Sequence, residues 1–341
     1  MQLSRTAGHF ASKLRTHFNF TSDTNRVLKG NVYTLQVLIP VFFVFWIITP
    51  EVFGDEYQIA VLVSHNESPY KEVIAGFQKT ITGQKTDSKF HVFIMEGERA
   101  HLSENLNSIK KIKPKVIFTV GTTPTGETLK VFHDIPIIAT LILDDDMIKS
   151  AHNATGVILG FPIEVQFNWL KKFLPEARKI GVMYNPLENQ EKIRSAAIIA
   201  GKMGLSLHPV EIDSPKDIPN ALKVLASDAD ILWGINDALV FNSLTAKQIL
   251  LFSFRNHIPF CGLSSAWVKA GALYALEYDF YDIGVQCGEK ALRIIQGAKV
   301  NSLPVCYPRN LLYTLNLRTA RYMKIQFREE YIHNAYRVFD E

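Results

Sequence analysis

Cysteine is scarce in this chain, which has three among its 341 residues: Cys261, Cys287 and Cys306. Three thiols exclude the disulfide framework of a small secreted domain and a zinc site closed by four thiolates. None of them lies near the apolar N-terminal segment described below, which excludes a lipid-modified cysteine as a membrane anchor.

Short catalytic and nucleotide-binding motifs are also missing. The sequence has no P-loop, no G-x-G-x-x-G after a strand, no H-E-x-x-H and no G-x-S-x-G nucleophile elbow. The three consecutive acids Asp144, Asp145 and Asp146 are more typical of a solvated turn than of a magnesium or calcium site. Cys261 has no histidine partner that the sequence can name, which favours a buried thiol over a nucleophile. We therefore expect no catalytic residue, no metal and no cofactor.

The folded part of the chain has no excess of charge of either sign. Residues 1–31 hold five basic side chains and one acidic one, whereas residues 50–341 hold 32 of each. Neutralising nucleic-acid phosphates requires clustered Lys and Arg, so the sequence gives no support to nucleic-acid binding.

Residues 32–49 contain no charged side chain and are dominated by Val, Ile, Leu, Phe and Trp. At about 1.5 Å per residue, a helix of this length approaches the lower limit for spanning a bilayer. The basic residues before it predict that residues 1–31 stay in the cytoplasm and that the rest of the chain is exported. Residues 32–54 are then either a signal peptide, cleaved before Asp55, or a retained membrane anchor. A buried core helix is the remaining alternative.

Beyond Tyr57, short apolar runs alternate with amphipathic stretches, and 341 residues are enough for two domains. This pattern predicts βαβ units, and the continuous apolar strands indicate parallel sheets covered on both faces. We expect an α/β fold of two doubly wound parallel-sheet lobes, with a break at residues 144–160. The predicted strands are residues 58–63, 90–95, 115–120, 135–139, 179–184, 205–212, 229–234, 258–262 and 272–276.

Polar residues follow several of these strands. In open α/β sheets, ligands bind beyond the carboxyl ends of the strands, so these residues are candidates for a binding cleft. Hydroxyls and free N–H groups there suit a carboxylate, and Asp237 suits an ammonium group. Helix capping is the alternative interpretation of each, and it is compatible with ligand contact.

Several longer stretches resemble the ABC-importer substrate-binding proteins that include tryptophan- and tyrosine-binding members. They are NATGV at 153–157, LKKFLPEARKIGVMYNP at 170–186, SSAWVKAGALYAL at 264–276, DFYDIGVQCGEKALRIIQGAKVNSLP at 279–304 and NLRTARYM at 316–323. These motifs occur together and in order, and the resemblance covers about residues 57–335.

The resemblance implies the type I periplasmic-binding fold, in which two lobes close on a ligand. It implies a first lobe at 55–160 with a return segment at about 281–300. The second lobe would span 161–280 with a C-terminal segment at about 305–335, including a strand near 311–315. The implied ligand contacts are Ser64, His65, Thr122, Thr123, Asn185, Asp237 and Ser264.

The leading hypothesis is a non-enzymatic, extracytoplasmic protein that delivers a small molecule to an ABC permease. An amino acid is favoured as the ligand, since Tyr184, Trp233 and Trp267 lie near the predicted cleft, although core packing explains these aromatic residues equally well. The alternatives are a membrane-tethered sensing module of a signalling system, held by residues 32–49 if they are uncleaved, and an α/β enzyme.

Overall fold

The computed structural model describes residues 56–84, 87–95, 101–143 and 146–340. The predicted N-terminal export segment, 1–54, lies outside these residues, as do Asp144 and Asp145. Within the described ranges, no helix combines the length and the apolarity that crossing a membrane requires.

The first sheet is parallel throughout and is built from the N-terminal part of the described chain. Its strands are β1 (Tyr57–Val63), β2 (Ser88–Ile94), β3 (Val116–Val120), β4 (Ile137–Thr140) and β5 (Ala154–Val157). The helices between them are α1 (Tyr70–Thr82), α2 (Leu102–Ile112), α3 (Thr122–Val131) and α4 (Asp146–Lys149). The strand order is β2-β1-β3-β4-β5.

The second sheet contains the remaining strands. They are β6 (Lys179–Tyr184), β7 (Ser206–Glu211), β8 (Ile231–Trp233), β9 (Phe260–Gly262), β10 (Tyr274–Tyr278), β11 (Leu311–Asn316) and β12 (Arg337–Phe339). The helices are α5 (Ile163–Phe173), α6 (Pro186–Lys202), α7 (Ile218–Asp228), α8 (Ala246–Asn256), α9 (Ser265–Ala270), α10 (Phe280–Ile295), α11 (Leu317–Tyr322) and α12 (Glu329–His333). The strand order is β12-β11-β10-β9-β8-β6-β7, with β10 and β11 antiparallel.

Both faces of the first sheet are buried at β1, β3, β4 and β5. In β1, Ile59 and Val61 belong to one apolar cluster, whereas Ala60 and Leu62 belong to another. Successive side chains of a strand point to opposite faces, so a strand covered on both sides must be apolar at every position. This requirement explains the continuous apolar runs in the sequence.

Strand β5 lies within residues 144–160, where the sequence predicted a break. Its four residues pair in parallel with β4. A Cβ at Gly156 would lie 2.0 Å from the carbonyl oxygen of Ala139, so this position accepts only glycine at the observed strand separation. A strand this short, with a glycine inside it, carries almost no apolar signal, and the predicted break was wrong for that reason.

Helix α10 follows β10 along the chain but packs on the first sheet. Its Ile283 and Cys287 share an apolar cluster with Val73 and Phe77 of α1. The two helix backbones are in contact, because a Cβ at Gly284 would lie 2.0 Å from the carbonyl oxygen of Val73. Below, "first lobe" means the first sheet with α1–α4 and α10, and "second lobe" means the second sheet with its other helices.

Candidate functional site

A cavity of about 690 Å³ opens where the chain passes between the lobes. These passages are residues 158–162, Asp279 and residues 303–310. The first lobe contributes Leu143 to the lining, and the second lobe contributes the carboxyl ends of β8 and β9, including Asn236 and Leu263. A larger cavity, of about 1000 Å³, is lined by second-lobe residues alone. The smaller cavity is the candidate site because both lobes line it.

Aromatic rings form the wall of this cavity nearest the passages. Phe161 and Tyr278 stack with their ring centroids 4.5 Å apart and their planes 13° apart, and Tyr307 lines the cavity with them. Burial raises the pKa of Tyr278 to about 12, so its phenol is neutral at physiological pH. The wall is therefore an uncharged aromatic surface.

Gln166 fixes the position of this wall. Its Nε2 donates to the carbonyl oxygen of Phe161 at 2.8 Å, and its Oε1 accepts a 2.9 Å hydrogen bond from Nε1 of Trp233. Trp233 is 1% exposed, inside the core of the second lobe. One amide side chain thus ties the first passage to a rigid core residue.

Charged side chains reach the cavity from α5 and α6. Glu164 and Glu188 are exposed at its edge, and Glu188 Oε2 accepts a 3.2 Å hydrogen bond from the backbone N–H of Ala238. Lys192 is partly buried at the same cavity. Burial lowers the pKa of Lys192, because it disfavours the ammonium form, and the negative charge of Asp237 opposes that shift.

Two residues predicted as ligand contacts in the second lobe meet each other. Asp237 Oδ2 accepts hydrogen bonds from the backbone N–H of Asn185 at 2.7 Å and from Nδ2 of Asn189 at 2.9 Å. Its Oδ1 accepts a 3.0 Å bond from the N–H of Val240. Asp237 is 4% exposed, so its carboxylate points into the lobe and not into solvent. Asn185 caps α6, since its side chain accepts from the N–H of Leu187.

Ser264 precedes α9 without forming a side-chain cap. Glu277 of β10 lies close to Ser265, the first residue of that helix, whose hydroxyl and backbone N–H favour its carboxylate form. The Glu277 carboxylate also accepts a 3.1 Å bond from the hydroxyl of Thr314. Glu277 thus places an acid near the start of α9, where Ser264 forms no side-chain cap.

The predicted contacts of the first lobe lie at strand ends, as expected from the sequence. Ser64 follows β1, and its hydroxyl donates to the carbonyl oxygen of Val120 at 3.3 Å. His65 is exposed, with its ring 5.2 Å from that of Tyr70. Thr122 and Thr123 form the exposed first turn of α3.

None of the seven predicted contacts is among the described residues that line the cavity. Tyr184 and Trp233, whose position near the strand ends suggested an aromatic cleft, are 3% and 1% exposed in the core of the second lobe. Trp267 packs against the same core. Of the aromatic residues at the cavity, Phe161 and Tyr307 lie in the passages between the lobes, and Tyr278 is the last residue of β10.

The family of ABC transporter substrate-binding proteins matches residues 56–339. The tyrosine-binding protein of Clostridioides difficile (strain R20291) is 26% identical over 202 residues, which cover 57% of this chain and 58% of that protein. The chain thus matches a little over half the length of that relative. An uncharacterised protein of Rickettsia prowazekii (strain Madrid E) is 22% identical over 279 residues, covering 80% of this chain and 87% of its own.

Solved structures share the fold. The ligand-free, open structure of a substrate-binding protein with adhesive properties from Clostridium difficile has a TM-score of 0.73 at 20% identity, covering 84% of this chain and 100% of its own. The ABC domain in complex with L-Trp from Streptococcus pneumonia has a TM-score of 0.59 at 20% identity, covering 83% and 100%. These likenesses confirm the predicted α/β fold of the type I periplasmic-binding proteins. With the family match over residues 56–339, they show that the chain belongs to the family of ABC transporter substrate-binding proteins.

Proposed function

We propose that this protein captures a small molecule in the cavity between its two lobes and delivers it to an ABC permease. The observation that carries the proposal is the 690 Å³ cavity at the passages, lined by the second lobe, by the passages and by Leu143 of the first lobe. A volume of this order is typical of small-molecule sites. Closure of the lobes about residues 158–162, Asp279 and residues 303–310 would enclose the ligand and create the shape that the permease recognises.

The ligand that suits this cavity is an amino acid with an aromatic side chain. The stacked pair of Phe161 and Tyr278, with Tyr307 beside it, offers a surface on which a planar ring stacks favourably. The names of two similar proteins, one tyrosine-binding and one solved with L-Trp, support the same ligand class.

Closure would bring the first lobe against the ligand from the opposite side. Ser64 and His65 follow β1, and the exposed Thr122 and Thr123 form the first turn of α3, just beyond β3. In the second lobe, Asn185 and Asp237 support the cavity by holding the start of α6, and Ser264 lies two residues after Gly262, which lines it. In this proposal, the predicted contacts of the first lobe close on the ligand, and those of the second lobe support the cavity.

Delivery to a permease requires the lobes to lie outside the cytoplasm, which is where substrate-binding proteins of this family act. Residues 1–54 would provide that export, as a signal peptide or as a retained anchor. A reporter that is active only after export should work when fused after residue 55, and one active only in the cytoplasm should not. The opposite result would contradict the export proposal.

The function is tested by titrating the purified protein with each of the twenty amino acids by calorimetry. We expect saturable binding of an aromatic amino acid, with the ligand recovered chemically unchanged by mass spectrometry. Phe161→Ala should weaken that binding about tenfold or more, because it removes one ring of the stacked pair. Conversion of the ligand into a product would show an enzyme instead, and absence of binding by all twenty would exclude this ligand class.

A further inference from the structure

Lys192 is the only cation among the described residues that line the cavity. It lies on α6, one turn after Asn189, so both side chains face the strand ends of the second lobe. No ion pair or hydrogen bond of its ammonium group occurs within the part of the chain that the structure describes. A positive charge therefore lies at the cavity without an anion in contact.

Asp237 does not fill that role. It acts on Lys192 through its charge, but its two carboxylate oxygens already accept three N–H groups, from Asn185, Asn189 and Val240. A partly desolvated ammonium without a contact partner is unfavourable, and an anion placed beside it would relieve that cost.

We infer that Lys192 receives the carboxylate of the bound molecule, so that the cleft selects ligands that carry an acidic group. This inference rests on the function proposed above and names the chemistry by which the cavity selects. A carboxylate beside an ammonium forms charge-assisted hydrogen bonds, which are stronger than those between neutral groups. Glu164 and Glu188, exposed at the same cavity, place negative charge within reach of a ligand's own ammonium group.

The competing explanation is that Lys192 only balances the buried charge of Asp237. Under that explanation, removing the ammonium would change stability and would weaken all ligands alike, whatever their charge. Under the inference, the loss falls selectively on ligands with a carboxylate. The two explanations are therefore separated by comparing a ligand with an analogue of the same size that lacks the negative charge.

The experiment measures Kd by calorimetry for L-tyrosine and L-tyrosinamide, and for L-tryptophan and L-tryptophanamide, on the whole protein. Each amide keeps the ring and the ammonium but replaces the carboxylate with a neutral group. We expect the wild type to prefer the acid over the amide by tenfold or more. Lys192→Met should weaken binding of the acid about 10- to 100-fold and leave the amide nearly unchanged, so the preference disappears.

Two further variants serve as controls. Lys192→Arg keeps the positive charge and should keep the preference for the acid. Lys202→Met removes an exposed ammonium from the last turn of the same helix and should leave both affinities unchanged. Equal weakening of acid and amide in Lys192→Met, or no change in either, would overturn the inference while leaving the binding function standing. If the wild type binds none of the twenty amino acids, the ligand class and the inference fail together.

Discussion

The backbone N–H of Asn185 donates a 2.7 Å hydrogen bond to Oδ2 of Asp237, which joins the ends of β6 and β8. The same oxygen accepts from the side chain of Asn189, so the carboxylate holds the first turn of α6 against the next strand. Lys192 follows one turn later on the same helix. A buried acid thus holds the start of the helix that carries the cation of the cavity.

Asp237→Asn should therefore lower stability. Asparagine keeps one acceptor oxygen and places an NH₂ group among three N–H donors, so at least one donor loses its partner. A buried donor left unsatisfied costs about 1–3 kcal/mol of unfolding free energy. Urea denaturation checks this, with Asp213→Asn, on an exposed side chain, as the control. Unchanged stability in Asp237→Asn would show that the amide serves this turn as well as the carboxylate.

The contact between α1 and α10 should tolerate no added methyl group. A Cβ at Gly284 would lie 2.0 Å from the carbonyl oxygen of Val73, which is backbone and cannot rotate away. Gly284→Ala should force the helices apart and cost about 1–3 kcal/mol, the usual penalty for overpacking.

Gly201→Ala is the matched control, because Gly201 is helical and has no neighbouring atom within 4 Å of the added carbon. This substitution should be neutral or should stabilise by up to about 1 kcal/mol, since alanine favours the helix. Thermal unfolding of both variants measures the difference. Equal melting temperatures for the two would contradict the close packing of α1 and α10.

Most of the fold could be predicted because a long strand that is buried on both faces appears in the sequence as a continuous apolar run. Residues 179–184 were predicted as a strand and are β6, and residues 58–63 lie within β1. Strand β5 gives only a weak signal of this kind, since it has four residues, and the short helix α9 begins without a side-chain cap from Ser264. Elements stabilised mainly by distant partners are invisible to local patterns.

The candidate site was harder to predict than the fold. The expectation that ligands bind beyond the carboxyl ends of the strands identified the loops after β8 and β9 as candidates. Asn236 and Leu263, in those loops, line the cavity. That expectation does not say which way an individual side chain points. The carboxylate of Asp237 points inward, where it accepts a hydrogen bond from the backbone N–H of Asn185. Lys192 lines the cavity only because of how α6 packs, which follows from tertiary contacts that one sequence does not reveal.

Arg309 should contribute more to stability than an exposed ion pair does. It lies in the third passage between the lobes, and its Nη2 is 2.6 Å from Oδ1 of Asp282, whose side chain is 12% exposed. Its Nη1 also bonds Glu289 at 3.0 Å. Arg309→Met would leave the Asp282 carboxylate without its cation, at an expected cost of about 1–3 kcal/mol.

The exposed pair of Arg194 and Glu191 provides the comparison, with side chains 66% and 82% exposed. Arg194→Met should change stability by less than about 0.5 kcal/mol, because solvent screens such pairs. Urea denaturation of both variants under the same salt conditions measures the two effects. Similar losses in the two variants would mean that the Asp282 contact is screened as strongly as a surface pair.

Glu277 should make stability depend on pH in a defined direction. Burial raises the pKa of its carboxyl group above the ordinary value, and bonds from Thr314 and Ser265 and the charge of Arg337 offset only part of that rise. The folded state therefore holds this proton at a higher pH than the unfolded chain does. The contribution of Glu277 to stability is full below about pH 4.3, the ordinary glutamate value, and is lost as the pH rises through the folded-state pKa.

Glu277→Gln isolates this contribution, because glutamine cannot titrate. The unfolding free energy of the wild type minus that of the variant should fall as the pH rises from about 4 and become constant once Glu277 is ionised in both states. Urea denaturation at half-unit intervals of pH measures the difference, and Glu104→Gln, on an exposed position of α2, supplies the baseline. Loss of the hydrogen bond from Thr314 would add a constant offset to this difference without changing its slope, whereas a difference with no slope would contradict the prediction. A difference that rises with pH would mean that those bonds and Arg337 outweigh burial, so that Glu277 holds the start of α9 as a favoured carboxylate.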